Sequence, residues 1–533
     1  MSTPAPTLAA VFVRLRWRLL RGAIRHGGTE QVGVIVSTVA AALIGVGGGM
    51  ALLVAGRTID EPAEMVVIFC TMVTVFIVGF GIVSGISQPI DPRVIAAEPL
   101  SDGQRALGLL ASSALGPPGL AGIALGVGLA AGMIRGLSGV PVIVLATISW
   151  LLALLLVART ATNLLALLLS RLPRLGQLVA GLSGLVFYGL FQFLPALLRD
   201  LDDDRRAQLV RVMEISPPGQ IGRAIGTAGQ SPGRSIVHLA LGSVWLPVLL
   251  IGFSWSARRL TLAVRNSGGL DSGDAQASMI GRVARRACGH GPSASIAWRS
   301  LLTRFRTPRT ALETFTGAGV GLAAVLVPTL LRDSPGSGAV LVGGAVQLAV
   351  LFMAGNSFGT DGPPLTYELL AGADAETMAR GKARSIVIVA APLALLGPLL
   401  AAVVTNEWRY LVAGIGVGIG GILAGTGAAV VQSALVPIAI PDSDNPFAGG
   451  ESGKGMVAAL LLGVVLAGLA IFTIPVALAL FWATDRGRVG LVTLFGALTI
   501  LVGWGVLRLG IRVATKRLRG RDPEFIVSVT PAR

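Results

Sequence analysis

The feature that most constrains this chain is the recurrence of apolar runs about as long as a bilayer is thick. A helix rises 1.5 Å per residue, so a hydrocarbon core of about 30 Å is crossed by roughly 20 apolar residues. Twelve such runs stand in the sequence. Six lie at Val32 to Ala55, Met65 to Ile86, Ala106 to Ile134, Val140 to Leu169, Leu175 to Leu198 and Val237 to Ala257. The others lie at Phe315 to Leu331, Ala339 to Asn356, Ser385 to Val404, Tyr410 to Val431, Met456 to Phe481 and Val489 to Leu509. The fold class they predict is all-α: a polytopic membrane protein of about 12 transmembrane helices.

The rest of the composition agrees. Only 13% of the residues are charged and 53% are hydrophobic, whereas a soluble chain carries about 25% charged residues. Glycine is plentiful, at 72 copies, which suits helices that approach closely in lipid. The formal net charge of +16 is spread between the apolar runs instead of forming one patch interleaved with aromatics, so nucleic acid is not an expected partner. Cys70 and Cys288 make no disulfide framework, and His26, His238 and His290 are too dispersed for a metal site. The first 25 residues lack a separate apolar stretch with a small-residue cleavage site, so no signal peptide is expected.

With twelve spans both ends fall on one side, and 30 of the 43 Lys and Arg residues fall on that side. The positive-inside rule then predicts cytoplasmic termini in a multi-pass plasma-membrane protein.

The plan reads as duplicated. Basic amphipathic segments precede the first span of each half, as elbow helices over 8–25, with Trp17 and Arg18, and over 295–309, with Trp298 and Arg299. Trp and Arg suit the headgroup level, where a ring or a snorkelling guanidinium straddles two solvents. After the second span of each half comes a loop, around Gln88 and around Pro363. At an offset of 275, Pro89 meets Pro364, Val94 meets Leu369, Arg105 meets Arg380 and Pro117 meets Pro392. The expected organisation is a first transmembrane half over 1–264, a Gly/Ser/Arg-rich cytoplasmic linker over 265–292 and a second half over 293–533 with a basic tail. Arg199 to Ser235 is a long polar insertion of the first half, where Leu209 to Ile215 and Ile221 to Ile225 are candidate short helices at the outer surface.

Motifs for chemistry are few. Gly449 to Gly455 fails the phosphate-loop pattern, with Ala448 in place of the first glycine and Gly455 in place of the hydroxyl. Gly416, Gly418 and Gly421 match GxGxxG but lie inside an apolar run with no strand before them, so helix packing accounts for them. Arg159 is the clear charge inside a predicted span, read as structural. Asn163, Gln192, Gln347, Asn356 and Gln432 are uncharged polar residues at membrane depth, open to lining a path or bonding between helices.

The succession of basic elbow, two spans, cytoplasmic loop, four spans and basic tail resembles one unit of the type-2 ABC exporter permeases, present here twice. Asn356-Ser357-Phe358-Gly359-Thr360-Asp361-Gly362, with Leu369-Leu370-Ala371-Gly372 and Arg380-Gly381-Lys382, resembles the loop of fused actinobacterial permeases of the antibiotic, multidrug or tetronasin-like exporter group. The resemblance implies two pseudo-symmetric six-helix halves and coupling helices that dock on two copies of a separate ATPase. It implies no cofactor in this chain, with ATP and magnesium held by the partner, and no catalysis by the chain itself. The residues it assigns to coupling are Asp91, Arg93, Val94, Ile95 and Glu98 in the first half, and Tyr367, Glu368, Leu369 and Asp374 in the second. A cavity for hydrophobic or amphipathic small molecules is expected from Phe187, Tyr188, Phe191, Gln192, Gln347, Phe352 and Asn356. Two other classes compete. A secondary transporter of hydrophobic solutes calls for buried carboxylates or broken helices at the midplane, and a lipid-handling protein calls for an interfacial acidic or histidine cluster.

Overall fold

The structure is a computed structural model and describes residues 5–25, 28–59, 62–84, 98, 100–171, 179, 202–262, 279–306, 310, 313–315, 317–319, 338–362, 364–439 and 452–530. These residues are overwhelmingly helical, with no strand among them. Among the described residues, eight helices are long and apolar enough to cross a membrane: Val34–Thr58, Pro62–Gly79, Leu137–Leu168, Pro232–Leu260, Ala375–Val403, Trp408–Leu435, Leu460–Asp485 and Val489–Leu518. Each overlaps one of the twelve apolar runs. The chain is therefore a membrane-embedded helical protein. The predicted run Leu175 to Leu198 apart from Val179, and most of Phe315 to Leu331, lie outside the described residues.

The described residues group into two compact units, one built from 5–171, 202–262 and 452–456 and the other from 179, 279–439 and 457–530. The boundary between Asn266 and Ser267 falls at the start of the predicted linker. Within that predicted linker Met279–Cys288 is a basic helix.

In the first unit, α1 (Ala5–Arg25) is the elbow, followed by α2 (Gly28–Thr58) and α3 (Pro62–Ser84). The third apolar run is not one straight span. It divides into α4 (Asp102–Ala114) and α5 (Pro117–Met133), whose axes differ by 73°. Gly116 stands at the break with φ 138°, a conformation that only glycine adopts at little cost, and Pro117 and Pro118 follow without backbone donors. The aligned Pro392 does not break its helix, because it is a single proline flanked by residues that keep helical geometry.

After α6 (Val140–Arg171) come α7 (Asp203–Glu214), α8 (Pro217–Thr227), α9 (Pro232–Ser243) and α10 (Trp245–Leu262). The short helices expected at 209–215 and 221–225 are present, but α8 does not lie on a surface. Ile221, Ala224 and Ile225 are fully buried with Val66, Cys70 and Trp150. A Cβ on Gly226 would come within 2.5 Å of the Ala63 backbone, so glycine lets α8 press onto α3. Burying three such side chains stabilises the packing by roughly 1.5–3 kcal/mol for each large aliphatic one.

The second unit holds α11 (Met279–Cys288), the elbow α12 (Pro292–Arg306), α13 (Gly338–Ala354), α14 (Ser357–Asp361), α15 (Leu365–Leu370), α16 (Ala375–Thr405), α17 (Leu411–Leu435), α18 (Ser452–Asp485), α19 (Val489–Leu518) and α20 (Asp522–Val529). Helix α13 coincides with the eighth apolar run, at 17 residues. The core of the unit is the packing of α17 on α19, where Gly420 meets Gly503 and Gly427 meets Gly510 backbone to backbone. Gly416 sits against Gly496 and Gly418 against Ala394, so the GxGxxG string serves helix contact. Beyond the basic end of α19, α20 packs Val529 and Phe525 against the unit's core.

Both elbows are seated alike. Phe12 of α1 lies on Gly108 of α4, and Ile296 of α12 lies on Gly381 of α16, where in each case a Cβ would come within 2.6 Å of the apolar side chain. The helix caps Ser101 and Asp374 and the seating glycines Gly108 and Gly381 both lie 273 residues apart, two fewer than the sequence register.

Candidate functional site

The best-defined polar construction lies where the sequence places its second loop, between α13 and α16. The chain leaves α13 at Asn356, whose amide pins a remote segment at both ends: Nδ2 donates to the Ile438 carbonyl at 2.9 Å and Oδ1 accepts from the Ile438 amide at 2.8 Å. The Phe358 amide then donates to Ser433 Oγ at 2.7 Å. These bonds hold α14, and Phe358 is fully buried with its ring edge-on to Phe525 of α20 at 5.4 Å. A turn through Gly362, at φ 58°, leads into α15. That helix ends at Gly372, at φ 80°, whose amide donates to the Leu369 carbonyl at 2.9 Å. Asp374 then caps α16 by accepting from the Thr377 amide at 2.9 Å, and those bonds hold its carboxyl below the usual range.

Four charged side chains lock this loop to the elbow. Arg299 of α12 donates through Nε to Glu368 Oε1 at 2.8 Å, and its terminal nitrogen reaches both Glu368 and Asp361. Lys382 of α16 donates to Asp361 as well, and both of those side chains are completely buried. The Lys382 ammonium lies 5.5 Å from the Phe358 ring centroid and 3.5 Å from Ser300 Oγ. Two cations thus face two carboxylates, which is how buried charge is tolerated. Burial outweighs Arg299 at Glu368 and raises its pKa. Asp361 Oδ1 and Glu368 Oε2 are buried without hydrogen-bond partners. Deeper in the elbow, Arg304 donates to the Met353 carbonyl and to Thr314 Oγ1, the latter at 3.2 Å, and burial lowers its pKa to about 10.

This geometry re-sorts the predicted residues. Helix phase puts Leu365 and Glu368 inside and leaves Tyr367 and Leu370, three apart, 74% and 79% exposed. Glu368 is therefore an internal anchor and not an outward flank. Leu369 is half-buried against the core, and Asp374 is an exposed cap. Arg299 is likewise turned into the protein instead of snorkelling, while Trp298 is half-buried with the Arg285 guanidinium 5.8 Å from its ring. Trp17 and Arg18 of α1 are exposed. Glu98 is exposed, and Asp91, Arg93, Val94 and Ile95 lie outside the described residues.

Of the expected cavity set, Gln347, Phe352 and Asn356 lie among the described residues. Phe352 is exposed, Gln347 is half-buried with its backbone against Gly425, and Asn356 is committed to Ile438. Phe187, Tyr188, Phe191 and Gln192 lie outside the described residues. Sequence reasoning missed Asp361, Lys382, Leu370 and Phe525 as members of the site. A usable signal existed: Lys382 enters a long apolar run at its charged start and needs a carboxylate partner if buried, and Asp361 is the charge of the string from Asn356 to Gly362. Among the described residues no cluster of three or more His, Cys, Asp or Glu is placed to hold a metal.

No family model matches the chain, and neither a curated protein nor a solved structure is significantly similar to it.

Proposed function

We propose that the chain is the membrane subunit of an ATP-driven exporter, with twelve spans arranged as two six-helix halves and two copies of a separate ABC ATPase docked on its cytoplasmic face. The observation that carries this reading is α15: six residues presenting Tyr367 and Leu370 to the outside while Arg299 and Lys382 hold its base to the elbow and to a span. An exposed aromatic and an exposed leucine on a rigid, charge-anchored helix form a compact knob of the type that fills a partner's pocket. Rigidity matters because a loop that relays force must not collapse when pushed. The like seating of both elbows, Phe12 on Gly108 and Ile296 on Gly381, supports a duplicated plan.

In this reading the termini are cytoplasmic, the chain sits in the plasma membrane, and ATP and magnesium are bound by the partner. Closure of the ATPase pair pushes the docking helices and alternates the exposure of a path through the membrane. The cargo is hydrophobic or amphipathic, and the chain does no covalent chemistry.

Affinity purification of the full chain from its native membranes tests this. The wild type is expected to bring an ATPase subunit with measurable turnover, and Leu370→Arg or Tyr367→Ala to lose it while the chain remains folded and monodisperse. Absence of any ATPase from the wild-type preparation, or its retention by Leu370→Arg, would sink the proposal.

One observation favours secondary transport instead: Asp361 and Lys382 are a fully buried carboxylate and ammonium next to a span. Solute export from proteoliposomes driven by a proton gradient without ATP would decide for that reading.

A further inference from the structure

The basic helix α11 takes no part in the loop construction, and its surface divides into three. One side faces the protein: Cys288 is buried in a cluster with Ala294, Ala297 and Leu301 of α12, and Trp298 of α12 with Ile388 and Val389 of α16 packs against that cluster. Residues four apart share a helix face, so Arg282 and Arg286 form one row and Val283 and Ala287 the row beside it. All four are exposed, Val283 at 58%. Arg285 is exposed as well, with its guanidinium 5.8 Å from the Trp298 ring centroid. The stretch between Asp274 and Glu313 carries seven Arg and no Asp or Glu, so the charge around these rows is strongly positive.

The packing of α11 puts these rows at a membrane boundary. The candidate span Ala375–Val403 has 29 residues, about 43 Å at 1.5 Å each, against a hydrocarbon core of about 30 Å. Its charges, Glu376, Arg380, Lys382 and Arg384, are confined to the first ten residues, so its apolar part begins at Ser385. The Cys288 cluster meets that helix at Ile388 and Val389, within the first five residues of the apolar part. Trp298, of a residue type enriched at the headgroup level, belongs to the same contact. An apolar row bordered by arginines is ill-suited to water but fits a leaflet, where valine enters the acyl boundary and a guanidinium holds a phosphate. Acidic headgroups match the charge, and their attraction adds to the apolar gain.

We infer that α11 docks on a leaflet that contains acidic phospholipids: Val283 and Ala287 enter the boundary of the acyl layer, and Arg282, Arg285 and Arg286 hold headgroup phosphates. The occupant is a lipid surface and not an acidic protein, because the exposed apolar row adjoins the start of the hydrocarbon-facing part of a span, a place already bathed in lipid. Docking also fixes the start of α12, since Cys288 and Ala294 share one buried cluster. The inference does not rest on the exporter reading.

The test uses the full chain with a fluorophore on Val283→Cys, the native Cys70 and Cys288 being buried, and a second preparation labelled at the exposed control Leu370→Cys. Nanodiscs of phosphatidylcholine alone, or of phosphatidylcholine with phosphatidylglycerol, carry bromine on the acyl chains, which quenches a label that enters the leaflet. The label at 283 is expected to be quenched when phosphatidylglycerol is present and the label at 370 to stay bright. Adding Arg282→Gln and Arg286→Gln should lower the ratio of docked to lifted α11 by roughly fivefold for each arginine. Arg282→Lys with Arg286→Lys should keep most of the docking, because the charge remains. Salt at about 1 M, which screens charges beyond about 3 Å, should act like the glutamine pair. The salt series needs no arginine variant, so it decides the matter even if the glutamine pair does not fold. The inference is overturned if quenching at 283 is the same with and without phosphatidylglycerol, or if it survives both the glutamine pair and high salt. A label shielded in native membranes but open to water in phosphatidylglycerol nanodiscs would also overturn it, and would make the occupant a protein.

Discussion

Lys382 and Asp361 meet as an ion pair with neither side chain exposed, one from the start of a membrane span and the other from the loop before it. Arg299 joins the same carboxylate from a helix 62 residues earlier in the sequence, so three elements depend on one aspartate.

That dependence gives the first prediction. Asp361→Asn or Lys382→Met leaves the other charge buried and unpaired, at a cost of about 3–5 kcal/mol. The double variant Asp361→Leu with Lys382→Met removes both charges, so it should recover part of that loss. Chemical unfolding in detergent, arranged as a double-mutant cycle, measures the coupling. Additive losses would mean the pair is not a unit.

Glu368 makes stability depend on pH in a defined direction. Burial raises its carboxyl above the ordinary 4.5, so the folded protein binds that proton more tightly than the unfolded chain. Its contribution is therefore fully present below the ordinary carboxylate value and is lost as pH rises through the raised native value. Unfolding midpoints measured across mildly acid pH should fall with rising pH in this window. Glu368→Gln should flatten that part of the profile, and an unchanged slope would remove Glu368 as its source.

Asp374 acts in the opposite sense. Its bonds to Thr377 lower the native carboxyl below 3.8, so its contribution is present above the unfolded value and disappears as pH falls through the native one. Asp374→Ala should cost about 1 kcal/mol at neutral pH, and Asp374→Asn much less, because an amide oxygen still caps the helix. Equal losses for alanine and asparagine would show that capping is not its role.

The contact of Gly503 with Gly420 leaves no room for a side chain, whereas Gly505, two residues on, has open space around it. Gly503→Val should therefore force α17 and α19 apart and destabilise the second unit by about 1–3 kcal/mol or more. Gly505→Ala should be neutral or slightly stabilising. Detergent-extracted protein followed by thermal unfolding separates the two.

Several elements are legible in the amino-acid sequence alone. Val34–Thr58 and Val489–Leu518 stand out because an apolar run of sufficient length needs no distant partner to be a span in lipid. Helices α1 and α12 are legible as amphipathic segments from their tryptophan and arginine, and the second loop from its polar string between two runs. The break at Gly116 is not, since Pro117 and Pro392 align in sequence but only one stands in a Gly-Pro-Pro context that stops the helix. Helix α8 is legible as a helix but not as a buried one, because its burial depends on Ala63, Val66 and Cys70, far back in the chain.

What the sequence by itself determined is the solvent of each segment. Transfer of a side chain into lipid is close to additive along a run, and a helix satisfies its backbone within itself. What only the tertiary structure decided is the direction of single side chains: Glu368 inward to Arg299, and Leu370 outward. A step of one residue turns a helix by about 100°, so the identity of a face is set by which distant element packs against it.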